Sequence, residues 1–173
     1  TIGKQMFQGC TALVNFIVPD NVTFIGERAF QGCSNLKTLT FPASYKAETL
    51  SFGLTPFVSC PAFEGYVIED GASLQRTEDG TLLAGGGKVL VSLPQDFKGT
   101  SYTVPDGVEA ISDYLFYKKT TITSVTLPAS LKKIGTAAFQ GCTKLTSITL
   151  PDGFTTLGEH AFDGCSALKT VAF

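Results

Sequence analysis

Phenylalanine recurs in this chain at a step of 23 residues, and that period constrains the fold more than any other feature. Phe7 and Phe30 are 23 apart, as are Phe116 and Phe139, and Phe139 and Phe162. The string around each hardly changes: Phe7-Gln8-Gly9-Cys10, Phe30-Gln31-Gly32-Cys33, Phe139-Gln140-Gly141-Cys142 and Phe162-Asp163-Gly164-Cys165. Five residues before each Phe stands an apolar residue followed by Gly, as in Ile2-Gly3, Ile25-Gly26, Ile134-Gly135 and Leu157-Gly158. Two looser copies complete the set of six turns. Phe52-Gly53 leads to Phe57 and Cys60, with Ser59 for Gly, and Ile111-Ser112 leads to Phe116, with Lys119 for Cys.

After each turn comes apolar-x-x-apolar-x-apolar, usually closed by Pro. The copies are Leu13/Phe16/Val18, Leu36/Leu39/Phe41, Phe63/Tyr66/Ile68, Ile122/Val125/Leu127, Leu145/Ile148/Leu150 and Leu168/Val171/Phe173. A seventh, Gly99/Tyr102/Val104, lacks its preceding turn. Alternation over a few residues is the period of a short strand with one face buried. One such unit cannot offset the entropy of ordering its own backbone, so the units must stack and share a core. The predicted fold is a repeat solenoid of the α/β type, mostly β. It is a leucine-rich-repeat right-handed coil with about seven short parallel strands in one ladder. The Gly of Phe-x-Gly-Cys, free to take positive φ, suggests that each turn is a one-turn helix. Pro19-Asp20-Asn21, Pro105-Asp106-Gly107 and Pro151-Asp152-Gly153 read as turns at the strand exits.

The period breaks twice. Four extra residues fall between Pro42 and Phe52, and a longer stretch, about 70–98, replaces a whole turn. In it Glu78-Asp79-Gly80 and Gly85-Gly86-Gly87 separate short β-like runs at 74–77, 81–84 and 88–93, the pattern of a β-meander. The expectation is a single domain over 1–173, with repeats at 1–69 and 99–173 and the meander standing off as a flap.

Candidate chemistry is sparse. The formal charge is −2, and no basic run exceeds Lys118-Lys119 or Lys132-Lys133, which argues against nucleic acid. No apolar run reaches the roughly 18–20 residues of a membrane span. Gly85-Gly86-Gly87-Lys88 is not a phosphate loop: Leu82 stands where the first Gly belongs and Val89 where Ser or Thr belongs. The five cysteines occupy one repeat register. They are read as free, buried core thiols rather than metal ligands or disulfides. His160, the one histidine, shares its register with Arg28, Tyr114 and Ala137, a variety that predicts solvent exposure and no catalytic role. No residue set asks for a cofactor or a metal, and the chain is expected to be no enzyme.

Two groups of residues are candidates for binding a partner. The outward strand positions form a field of small hydroxyls without charge, chiefly Thr38, Thr40, Ser101, Thr103, Ser124, Thr126, Ser147 and Thr149. Their functional reading is a shallow docking face; their structural one is threonine as a good strand residue. Tyr114, Tyr117, Lys118 and Lys119 combine tyrosines, a residue type enriched at protein interfaces, with cations, which makes them a candidate sticky patch. Of 14 Phe, only Phe24 and Phe97 fall outside core registers, and there is no Trp, so sugar platforms are scarce. The chain stops at Val171-Ala172-Phe173 inside a strand. Either further repeats follow, or the terminal strand supports end-to-end self-association.

The string apolar-Gly-x-x-x-Phe-x-Gly-Cys-x-x-Leu-x-x-Ile-x-Leu-Pro resembles the BspA-like, treponemal-type leucine-rich repeats. Residues 78–83 and 102–108 are similar to that family as well, and the resemblance covers nearly the whole chain. Membership implies a secreted or surface-anchored bacterial protein, with no catalytic residues to carry over and with adhesion to extracellular proteins as a role. Two alternatives stand beside that: a structural spacer or assembly repeat without its own ligand, and glycan binding.

Overall fold

A computed structural model describes residues 1–93 and 97–172. The chain divides into two compact units, Thr1–Gly86 and Gly87–Phe173.

In the first unit the strands are β1 (Asn15–Ile17), β2 (Phe24–Ile25), β3 (Thr38–Phe41), β4 (Ser51–Phe52), β5 (Gly65–Ile68), β6 (Gln75–Arg76) and β7 (Leu82–Ala84). β1, β3 and β5 pair in parallel, so that Phe16, Leu39 and Tyr66 fall in one inward row. β2 and β4 make a second parallel ladder, extended by a bridge from Ile2 to Ile25. β6 and β7 are an antiparallel pair. The four extra residues after Pro42 bring Tyr45 fully into the core, where its hydroxyl donates to the Val22 carbonyl at 2.5 Å. Burial there pushes its phenol up to about 12.

The second unit contains β8 (Val89–Ser92), β9 (Ser101–Thr103), β10 (Ala110–Ile111), β11 (Ser124–Thr126), β12 (Lys133–Ile134), β13 (Ser147–Thr149), β14 (Thr156–Leu157) and β15 (Thr170–Ala172). β9, β11, β13 and β15 form one parallel ladder and β8, β10, β12 and β14 another. The seven repeat strands are therefore a ladder of three in the first unit and a ladder of four in the second.

The meander at 70–98 is β-structured as expected, but it does not stand off as a flap. Val89 and Leu90 pair in register with Ala110 and Ile111, which makes β8 a rung of the coil. Leu82, Leu83 and Ala84 are buried in the first unit, and Leu90, Val91 and Leu93 in the second. These runs are apolar on both faces, the mark of a strand covered on both sides rather than of an exposed hairpin.

The six turns are not one-turn helices. Their amides alternate in direction. In the first unit, Gln5, Phe7 and Gly9 donate across to the next turn's Glu27, Ala29 and Gln31 carbonyls at 3.0, 2.8 and 2.8 Å. The amides between, on Met6, Gln8 and Cys10, donate three residues back within their own turn. The second unit repeats this, with Ala137, Phe139 and Gly141 reaching Glu159, Ala161 and Asp163. Two residues per turn are left-handed, two before the Phe (Gln5 to His160, φ between 46 and 57°) and two after it (Gly9 to Gly164, φ between 54 and 74°). A helix would send all these amides along its own axis. What the His160 register shares is this backbone, not exposure: His160 and Arg28 are exposed, but Ala137 is buried.

Three columns run through the turns. Rings stack at 5.2 and 5.7 Å in Phe7–Phe30–Phe57, and at 4.7 and 5.2 Å in Phe116–Phe139–Phe162. The glycines after the apolar residue allow neighbouring rungs to touch: a Cβ on Gly158 would lie 2.4 Å from the Gly135 carbonyl carbon. All five cysteines are free. Cys33, Cys142 and Cys165 are buried, whereas Cys60 is half-buried and Cys10 exposed, so the expectation of five buried thiols fails at two positions. Each cysteine with an earlier Phe turn in its unit donates its S–H to that turn's Phe carbonyl. The distances are 3.0 Å for Cys33 to Phe7, 2.9 Å for Cys60 to Phe30, and 3.1 Å for both Cys142 to Phe116 and Cys165 to Phe139.

Candidate binding surface

Alternation along each short strand decides what faces outward. In the second unit Tyr102, Val125 and Ile148 point into the core, and their neighbours Ser101, Thr103, Ser124, Thr126, Ser147 and Thr149 are exposed. Parallel pairing sets Ser101 beside Ser124 and Ser124 beside Ser147, with Thr103 beside Thr126. Six of the eight proposed hydroxyl positions thus come together as two rows on one sheet face. The rows border an open groove of about 390 Å³ between β11 and β13, whose walls include Ser124, Thr126, Ala129, Ser147, Thr149 and Pro151. Among the described residues no charged side chain lines it.

Thr38 and Thr40 belong to the corresponding face of the first unit, which has a different character. Both are half-buried, and the Thr38 hydroxyl donates to Asn15 Oδ1 at 2.8 Å. The row through Thr40 runs Ile17–Thr40–Val67, with Ile17 67% and Val67 44% exposed. Gly65, buried and at φ 127°, leaves a gap in the other row. The registers that hold hydroxyls in the second unit thus hold Ile17 and Val67 here.

The aromatic and basic residues gather on the first turn of the second unit. The Tyr114 and Tyr117 rings meet edge-on, with centroids 6.1 Å apart, and Lys118 Nζ lies 5.3 Å from the Tyr117 centroid. Lys119 is half-buried in the cysteine register. Phe24 is half-buried in β2, and Phe97 packs edge-on against Tyr102 at 5.5 Å. Among the described residues no three His, Cys, Asp or Glu side chains gather as a metal site, and no helix is long and apolar enough to cross a membrane.

Comparison with known proteins agrees with the coil. Residues 1–73 and 95–173 match the model of the BspA type leucine rich repeat region, in six copies. Among solved structures, a leucine rich cell surface protein of Faecalibacterium prausnitzii A2-165 superposes with a TM-score of 0.59 at 24% identity, over 99% of this chain and 56% of that one. A leucine-rich repeat protein of Eubacterium ventriosum gives 0.57 at 18% identity, over 92% of this chain and 60% of the other. The pneumococcal vaccine antigen PcpA gives 0.55 at 23%, over 91% and 50%. The chain spans 50 to 60% of the length of these neighbours. No curated protein matches it.

Proposed function

Because this chain belongs to the BspA type leucine-rich-repeat family, we propose that it is a non-catalytic protein-binding module of an extracellular or cell-surface bacterial protein. The hydroxyl face of the second unit is its docking surface. The observation that carries this is the double row of exposed, uncharged hydroxyls along the groove between β11 and β13. Protein interfaces are depleted of charge at their centre, and a surface without charge loses least on being dried. A stacked coil also offers an extended face of the kind repeat proteins use to hold partners. The neighbours that are surface proteins and antigens support the location, as does the family.

The test is solid-phase binding of the purified chain to a panel of extracellular-matrix proteins and to cultured epithelial cells. Thr126→Lys with Thr149→Lys should weaken binding by roughly tenfold or more while leaving the melting temperature in place. Binding that survives the double change removes the hydroxyl face from the proposal. No binding to any member of the panel favours a spacer.

A further inference from the structure

The turn from Asp113 to Lys119 departs from its counterparts where a partner would meet it. Lys118 stands where Gly9, Gly32, Gly141 and Gly164, and Ser59 in one copy, stand in other turns, and it holds the same left-handed backbone, at φ 54°. Side chains with a Cβ adopt that conformation only at a cost. The Lys118 amide donates to the Gln140 carbonyl at 2.8 Å, as the Gly9, Gly32 and Gly141 amides do to the turn that follows each. Tyr117 replaces the Gln, Val or Asp found in that register elsewhere, and Tyr114 replaces Gln, Arg, Thr, Ala or His. Their rings meet edge-on at 6.1 Å, and Tyr117 holds the Lys118 ammonium 5.3 Å from its centroid. Lys119 fills the register in which cysteine elsewhere reaches back to an earlier Phe carbonyl, and its own unit has no earlier Phe turn.

Charge completes the picture. Lys4, Lys88 and Lys132 each pair with a glutamate, at 2.8, 3.0 and 2.8 Å. Lys118 and Lys119 make no ion pair among the described residues. The one carboxylate of this turn, Asp113, accepts from the Thr136 amide of the next turn at 2.8 Å. The patch is thus a cation, Lys118, set against the Tyr117 ring of a tyrosine pair, with a second cation, Lys119, next to it in the chain. We propose that Tyr114–Lys119 is a binding site for an acidic peptide segment of a partner protein. Carboxylates of the segment pair with Lys118 and Lys119, and an apolar or aromatic side chain packs against the tyrosine pair. This site uses other registers of the coil than the hydroxyl face and does not rest on it.

Fluorescence anisotropy tests it, with the whole chain and a fluorescein-labelled peptide of glutamate and phenylalanine at low salt. Lys118→Gly restores the repeat's own residue. It should raise the melting temperature and weaken binding by roughly tenfold. Tyr117→Ala should weaken binding to a similar extent, and Lys133→Ala, an exposed lysine on β12, should leave it unchanged. The proposal is overturned if the peptide does not bind, if Lys133→Ala weakens binding as much as Lys118→Gly does, or if the stabilised Lys118→Gly chain binds as before. A sulfated oligosaccharide serves as a parallel probe. If it alone binds in a Lys118-dependent way, the acidic peptide is the wrong partner.

Discussion

Cys142 shows how much of the coil's stability lies in single side chains. Burial, with neighbouring Cys165 adding to it, pushes its thiol up to about 12 from an ordinary 9.0. A thiol raised in the folded chain holds its proton longer than the same thiol unfolded. Its contribution to stability is therefore complete below about pH 9 and declines toward pH 12. Melting temperature should fall over that window, and less steeply in Cys142→Ala, which itself costs about 1–2 kcal/mol through a lost methylene-sized contact and the S–H donor. Iodoacetamide on the native chain should label Cys10 rapidly and leave Cys142 for denaturant to expose. Phe139→Ala removes the middle ring of a stack and should cost roughly 3–5 kcal/mol in chemical denaturation. At the same scale Gly158→Ala would drive a Cβ to 2.4 Å from backbone. It should destabilise by about 1–3 kcal/mol, the range for overpacking. The cysteine register was legible because it repeats. The S–H bond was not, since the acceptor carbonyl lies 26 residues back for Cys142 and only stacking brings it close.

Elements divide into those whose period speaks and those whose backbone does not. The seven short strands were readable because apolar residues alternate over three positions at every copy. The turns misled: Phe-x-Gly-Cys carries a glycine at its third position, as the end of a short helix would. The left-handed residue two places before the Phe is Gln, Arg, Thr, Tyr, Ala or His, none of which announces positive φ. The meander misled differently. Its strands were placed correctly, but a run's partner cannot be read from its own residues, and β8 pairs with β10 rather than hanging free. Replacing residues 78–92 with a short Gly-Ser link should therefore lower the melting temperature sharply, as should Leu90→Ala, by about 2–5 kcal/mol in denaturation. A replacement that leaves the melting temperature unmoved would show β8 to be dispensable.

At the scale of the molecule, surface chemistry separates what folds the chain from what it presents. The hydroxyl rows of the second unit are exposed, so Thr126→Lys with Thr149→Lys should change stability by no more than about 0.5–1 kcal/mol while altering binding. The face of the first unit carries Ile17 and Val67 instead, and a single description of both faces from their shared registers was bound to average them. The family and its fold were legible from the repeat. The distinction between the faces was not, because it depends on what stands at two positions per strand rather than on the period.

The alternating amides of the turns have a consequence for how such a chain can change length. Direction there follows parity: every second amide joins one rung to the next, and those between close their own turn. Inserting one residue between Gln5 and Cys10, or at the same place in any other turn, would exchange the two sets and unstitch the rungs. The strands obey the same odd-and-even rule through their side chains. The loops outside strand and turn are free of it. The two places where this chain has gained residues, after Pro42 and after Glu69, both begin in such loops, past the ends of β3 and β5.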